Sequence, residues 1–398
     1  MTHVAFVVSP LEGHVNPLLA VARELPRRGH RVTFHLPATF RSAVEATGAV
    51  LAPLELPPPG ARLPADPTAR FTLLPFEMTR LARRALPQVL DAVGFDPPDL
   101  VVYDRLCVWG RLLAQLSPAP AAMVSASFAL NDSFSYVPRG ATAAPAPLDA
   151  LDEFAEDMYA LSRAYGTPLL GLRDLIEHSE PLTIAFVPRE LQPAAASFDD
   201  RFVFAGPALR DGDRVLDPEL AALGTPPLAY VSLGTLFNDW PAFYDLCFEA
   251  FSDAVWNVVL TGPAELAARA PRGVVVRPRV AQRGVLARAD VFVTHGGMNS
   301  VLEALWEAVP LVLVPQMPEQ EVTAELLQRR GAGERLARAT LTAGSLRAAV
   351  ERVAGGAVHR VAVEQLRAVV RGTGGAALAA DALISYVGRH APRVAQPT

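Results

Sequence analysis

The chain contains no lysine: all 36 of its basic residues are arginines. A Walker A phosphate loop and a pyridoxal phosphate Schiff base both need a lysine amine, so both chemistries are excluded. Cysteine is scarce, with only Cys107 and Cys247, in separate halves and in apolar or helical context. They read as buried thiols of a reducing compartment rather than as a disulfide. No apolar run approaches the ~18 residues of a membrane span. The net charge is −5 and no basic stripe is present, so a nucleic-acid partner is not expected. The start, MTHVAFVVSPLEGH, lacks a basic n-region and a small-residue cleavage site and reads as a strand. A cytoplasmic protein without stable membrane insertion is the expectation. G-x-S-x-G is missing, as is G-x-G-x-x-G after the first strand, which argues against an α/β-hydrolase and a nicotinamide dehydrogenase. Histidine and cysteine spacing fits no metal site.

What is present is an alternation of strands and helices. At 398 residues, 51% of them apolar, the chain is long enough for about two cores. VAFVV, RVTFHLP, PDLVVYD and LTIAFVP read as buried parallel strands of the first half. Asn16 offers an N-cap and Pro17 suits a first helical position, so a helix is expected from there to Gly29. LAYVSLGT, WNVVLTG, GVVVRP, ADVFVTHGG and PLVLVPQ repeat the pattern in the second half, with amphipathic helices between them. The class is α/β, with two doubly wound, Rossmann-like domains facing across a cleft. The expected division is 1–205 for the first domain, 206–226 for a linker, 227–375 for the second domain and 376–398 for a helix crossing back to the first. The Pro- and Phe-rich region 57–90 and the region 128–150 are expected as loops with short helices.

Ligands of such sheets sit beyond the carboxyl ends of the strands. His14 follows the first strand there, and Asp104 ends another, so both belong to one rim. An imidazole held by a carboxylate is a general base in a fixed tautomer. In the second half a strand ends at Thr294 and is followed by His295, Gly296 and Gly297, after which Asn299 and Ser300 open a helix. Backbone N–H groups and the positive helix end would meet a phosphate or diphosphate, with His295 adding a charge-assisted bond. Glu303, one turn on, can accept from two vicinal ribose hydroxyls. The DGD at Asp211–Asp213 matches a metal motif but reads as a solvated turn.

These stretches together, GHVNP, LVVYD, VSLGT and the run from RVAQ to PEQ, resemble the family-1, UDP-dependent glycosyltransferases of the GT-B fold, in the bacterial macrolide group. The likeness implies His14 as the base that deprotonates an acceptor hydroxyl and Asp104 as its orienting partner. It implies that Ser232 and Thr235 line the diphosphate and sugar region, and that Gln282 and the Val280 backbone meet the nucleobase. His295, Gly297, Asn299 and Ser300 would hold the phosphates, Glu303 the ribose, and Glu319 with Gln320 the donor sugar. The chain departs from the family pattern where Arg279 and Ala281 replace tryptophan and proline, and where Glu319 replaces aspartate. A guanidinium can lie on a base face. The implied reaction is an inverting, metal-independent transfer of a hexose from a nucleotide sugar, UDP-glucose or a TDP-sugar. No cofactor is implied. The acceptor would be an apolar natural product such as a macrolide, another polyketide or a flavonoid-like phenol, and the protein a monomer or homodimer. A nucleotide-sugar epimerase on the same fold and a non-catalytic auxiliary partner of a glycosyltransferase stay open at this point.

Overall fold

A computed structural model describes the chain except for residues 59, 61, 65, 138–145, 210–214, 225–226, 236–237 and 391–398. The described residues form two compact units, one of 1–135, 146–209 and 374–390, the other chiefly of 215–373. The DGD at 211–213 lies outside the described residues.

The strands of the first unit are β1 (His3–Val7), β2 (Arg31–Leu36), β3 (Val50–Pro53), β4 (Leu100–Asp104), β5 (Ala121–Ser125), β6 (Thr183–Ala185) and β7 (Phe202–Phe204). They pair in the order β3-β2-β1-β4-β5-β6-β7, all parallel. Its helices are α1 (Glu12–Arg27), α2 (Arg41–Glu45), α3 (Pro67–Phe95), α4 (Val108–Leu116), α5 (Leu148–Tyr165) and α6 (Leu172–Ile176). The second unit holds α7 (Pro218–Ala221), β8 (Leu228–Ser232), α8 (Pro241–Ala250), β9 (Asn257–Thr261), β10 (Val274–Arg277), α9 (Gln282–Leu286), β11 (Val291–Thr294), α10 (Met298–Trp306), β12 (Leu311–Leu313), α11 (Pro318–Arg329), β13 (Gly333–Arg335), α12 (Ala343–Gly355) and α13 (Ala357–Arg371). Its sheet runs β10-β9-β8-β11-β12-β13, again parallel throughout. α14 (Gly375–His390) belongs to the first unit.

Burial explains the continuous apolar strands. Every residue of β1 and β4 is buried, because helices cover both faces of a parallel sheet. On one face of the first sheet Val4, Phe6, Phe34 and Val102 pack with Leu18 and Val21 of α1 and with Leu383 and Tyr386 of α14. On the other, Val7, Val101 and Tyr103 pack with Met78, Leu81 and Leu86 of α3 and Trp109 of α4. Cys107 and Cys247 are buried and free, as the sequence suggests. Burial pushes both thiols up, Cys107 with a further push from Asp104.

Two helices depart from expectation, and proline is the cause both times. α1 begins at Glu12, not after Asn16, so His14 sits in its first turn and Pro17 lies inside it. Pro17 has no N–H to donate to the Gly13 carbonyl. Burial of Val15, Leu18, Leu19 and Val21 outweighs that loss. Most of the region 57–90 is likewise one 29-residue helix, α3, which carries Pro75 and Pro87 internally. Its Leu74, Met78, Leu81, Ala82, Ala85 and Val89 recur at helical spacing and are buried. Asp66 caps it by accepting from the Ala69 N–H at 2.9 Å. At the end of the first half, Phe202–Phe204 is a further strand of the first sheet.

Candidate active site

Each sheet reverses its winding order once. In the first unit the reversal lies between β1 and β4, in the second between β8 and β11. Both are places where loops from adjacent strands diverge and leave a crevice at the carboxyl ends. His14 and Asp104 lie at the first, and Ser232, His295, Gly297, Asn299 and Ser300 at the second.

In the first unit β1 and β4 run in register to Val7↔Tyr103, so the segments after them start side by side. Asp104, the last residue of β4, is only 1% exposed at its side chain, and His14 is 23% exposed. His14 Nδ1 lies 3.0 Å from Asp104 Oδ1. The Leu106 N–H donates to the same oxygen at 2.9 Å, and the Ser9 N–H donates to Oδ2. The carboxylate therefore acts as acceptor and Nδ1 as donor, which puts the imidazole lone pair on Nε2. Nothing in the sequence marked Ser9 and Leu106, because their contribution is backbone.

In the second unit Ser232 and Thr294 pair at the ends of β8 and β11. The His295 ring sits between two glycines. A Cβ on Gly234, whose φ is +80°, would lie 2.7 Å from His295 Cε1. One on Gly297 would lie 2.4 Å from Nε2. Both glycines are therefore required by the ring itself. Burial pushes the His295 pKa down to about 4, against a hydrogen bond to the Ser232 backbone that raises it. Burial by itself leaves the ring neutral at pH 7, so the expected charge-assisted bond depends on a phosphate's own charge drawing a proton onto the ring. Desolvation, which no sequence pattern displays, is the reason for that neutrality.

Gly297 is the N-cap of α10, and Asn299 and Ser300 lie in its first turn. The leading N–H groups of a helix have no intrahelical acceptor and carry the positive end of its dipole. Gln282, which opens α9, donates from Nε2 to Ser300 Oγ at 3.2 Å and to Glu303 Oε2 at 2.8 Å. Its Oε1 accepts from the Tyr230 hydroxyl at 3.1 Å. Gln282, Ser300 and Glu303 thus form one hydrogen-bonded group. Arg279 is exposed and Val280 half-buried just before α9, and Thr235 is exposed after β8.

Glu319 and Gln320 lie in the first turn of α11. Gln320 is 2% exposed, and its Oε1 accepts from the Gln316 N–H at 2.9 Å. That amide holds the β12–α11 turn together. The turn stands beside the glycine loop, since a Cβ on Gly296 would lie 3.4 Å from the Gln320 carbonyl oxygen. Among the described residues no three His, Cys, Asp or Glu side chains gather as a metal would need. Nor is any helix of the described residues long and apolar enough to cross a membrane.

Comparison with known proteins gives this geometry a context. Residues 221–390 match the family model described as UDP-glucoronosyl and UDP-glucosyl transferase. The chain is 34% identical to the NDP-glycosyltransferase YjiC of Bacillus licheniformis, over 97% of this chain and 98% of that one. It is 35% identical to the oleandomycin glycosyltransferase of Streptomyces antibioticus, over 87% of this chain and 81% of that one. The solved glycotransferase of kitacinnamycin superposes with a TM-score of 0.81 at 30% identity, covering 97% of this chain and 99% of that one. With two parallel sheets of seven and six strands and those relatives over nearly its whole length, the chain has the GT-B fold and belongs to the UDP-glucuronosyl and UDP-glucosyl transferase family of nucleotide-sugar glycosyltransferases.

Proposed function

We propose that the protein is an inverting glycosyltransferase that moves a hexose from a nucleoside-diphosphate sugar to a hydroxyl of an apolar natural product. UDP-glucose is the proposed donor. The observation that carries the reading is the 3.0 Å contact between His14 Nδ1 and the buried Asp104 carboxylate at the winding reversal of the first sheet. With Nδ1 protonated, Nε2 takes the acceptor hydroxyl's proton as its oxygen attacks the anomeric carbon. Asp104 stabilises the imidazolium that forms. The bond between the anomeric carbon and the diphosphate oxygen breaks on the opposite face. General-base help of this kind is worth roughly 10²–10⁴-fold.

The second unit supplies the donor half. The α10 N-terminus with Asn299 and Ser300, the Gly297 backbone and the His295 ring, once protonated, would accept the leaving diphosphate's growing charge. Ser232 and Thr235 would border the diphosphate, Arg279 and Val280 the base, Glu303 the ribose, and Glu319 the sugar hydroxyls. Gln320 enters as the amide that fixes Glu319's turn. Gln282 reaches the nucleotide through Glu303 and Ser300, with which it is hydrogen-bonded.

The relatives' names support the acceptor class: one acts on oleandomycin, another belongs to kitacinnamycin. The test is purified chain with UDP-glucose, other UDP-sugars and TDP-sugars, each with macrolide and phenolic acceptors. The expected product is a β-glycoside from an α-linked donor. An epimerised nucleotide sugar with no glycoside, or transfer only when a second protein is added, would point to the other readings.

A further inference from the structure

Tyr230 is buried in the middle of β8, 1% exposed, and it carries a hydroxyl where its strand neighbours Ala229 and Val231 are apolar. Its ring stacks on Phe292 of β11, with centroids 4.7 Å apart and planes 7° apart. A phenylalanine would serve that packing equally well, so the hydroxyl needs its own explanation. It lies 3.2 Å from Thr261 Oγ1. The Gln282 carbonyl oxygen, 3.1 Å away, can only accept. The single phenolic proton therefore goes to Gln282, and the Thr261 hydroxyl donates to the phenolic oxygen. Burial pushes the phenol up to about 12, so the proton stays in place.

We infer that Tyr230 is a positioning residue for nucleotide recognition: by donating to Gln282 Oε1 it aims Gln282 Nε2 at Glu303, and so sets the carboxylate for a ribose diol. The Gln282 amide is held at both ends. Its oxygen takes the tyrosine proton while its nitrogen donates to Glu303 Oε2 at 2.8 Å and Ser300 Oγ at 3.2 Å. Gln282 and a ribose diol together call on three of the about four hydrogen bonds a carboxylate can accept. Without the phenolic proton, Gln282 Oε1 loses its donor, the amide is freed to rotate, and the carboxylate loses its fixed direction. The inference rests on the ribose reading of Glu303.

The experiment measures dissociation constants for UDP and for 2′,3′-dideoxyuridine diphosphate by calorimetry, on the parent chain, Tyr230→Phe and Glu303→Ala. Tyr230→Phe keeps the stack on Phe292. It should weaken UDP roughly three- to tenfold, the scale of one hydrogen bond, and leave the dideoxy compound unchanged. With UDP-sugar as substrate, KM should rise while kcat holds. Glu303→Ala should show the same selective loss, larger. A general loosening of the sheet would weaken both nucleotides together. Equal loss of both, or loss of neither, in Tyr230→Phe while Glu303→Ala stays selective overturns the inference and leaves the ribose reading standing. A Glu303→Ala protein that loses both nucleotides alike overturns the ribose reading and the inference with it.

Discussion

At the scale of single residues, the candidate site depends on atoms held to within a fraction of an ångström. Asp104 takes two backbone N–H groups and His14 on a nearly inaccessible carboxylate. Asp104→Asn puts an amide where the ring's Nδ1–H must donate, which favours the opposite tautomer. Transfer should fall at least about 100-fold, with nucleotide binding kept, as single-turnover kinetics beside calorimetry would show. In the second unit the tolerance is steric. Gly297→Ala places a methyl against the His295 ring, 2.4 Å from Nε2, and that ring has Gly234 on its other side. It should weaken UDP binding roughly tenfold or more, in line with overpacking costs of about 1–3 kcal/mol; unchanged affinity would mean that the ring plays no part in holding the diphosphate.

At the scale of elements, helices that read poorly in the sequence are stabilised by burial. α14 lies on α1 through Leu383 and Tyr386, and Arg28 reaches Asp381. Leu383→Ala should cost about 2–5 kcal/mol in urea unfolding of the first unit; a loss under 1 kcal/mol would contradict the packing described. Four strands of the first unit and five of the second were legible, because buried parallel strands read as unbroken Val, Ile, Leu and Phe runs; β3, β5, β7 and β13, short or interrupted by Ala, Pro or Gly, were not. α1 and α3 were not read correctly because Pro17, Pro75 and Pro87 look like boundaries, and only tertiary burial decides otherwise. The candidate site divides the same way. His14, Asp104 and the His295–Glu303 run stand out as polar groups at strand ends. The neutrality of His295 depends on desolvation, and the contribution of Tyr230 on which neighbour receives its proton. Neither leaves a mark in one dimension.

At the scale of the whole molecule, protonation couples to stability. Burial holds His35 down to about 4, His178 to about 3 and His295 to about 4, with Arg111 and Arg105 adding to the effect at His178. In the unfolded chain each takes a proton near 6.5. Between pH 6.5 and about 4 the unfolded state therefore binds more protons, and stability falls as pH is lowered through that window. Glu180, raised by burial, works in the opposite direction, while His30, lowered chiefly by burial, adds to the three. The melting temperature should be lower at pH 5 than at pH 7.5, and an equal or higher value at pH 5 would contradict the buried neutral histidines. A nucleotide sugar that binds the native state should raise the melting temperature, most for the true donor.

The proposed mechanism has His14, oriented by Asp104, remove the acceptor's proton. Its most direct measurement is the transfer rate of His14→Ala at saturating nucleotide sugar, beside that variant's dissociation constant for the same donor. The expected rate is lower by roughly 10²–10⁴-fold, with the donor bound as tightly as before. Transfer at the parent rate by a variant that binds its donor normally would contradict it.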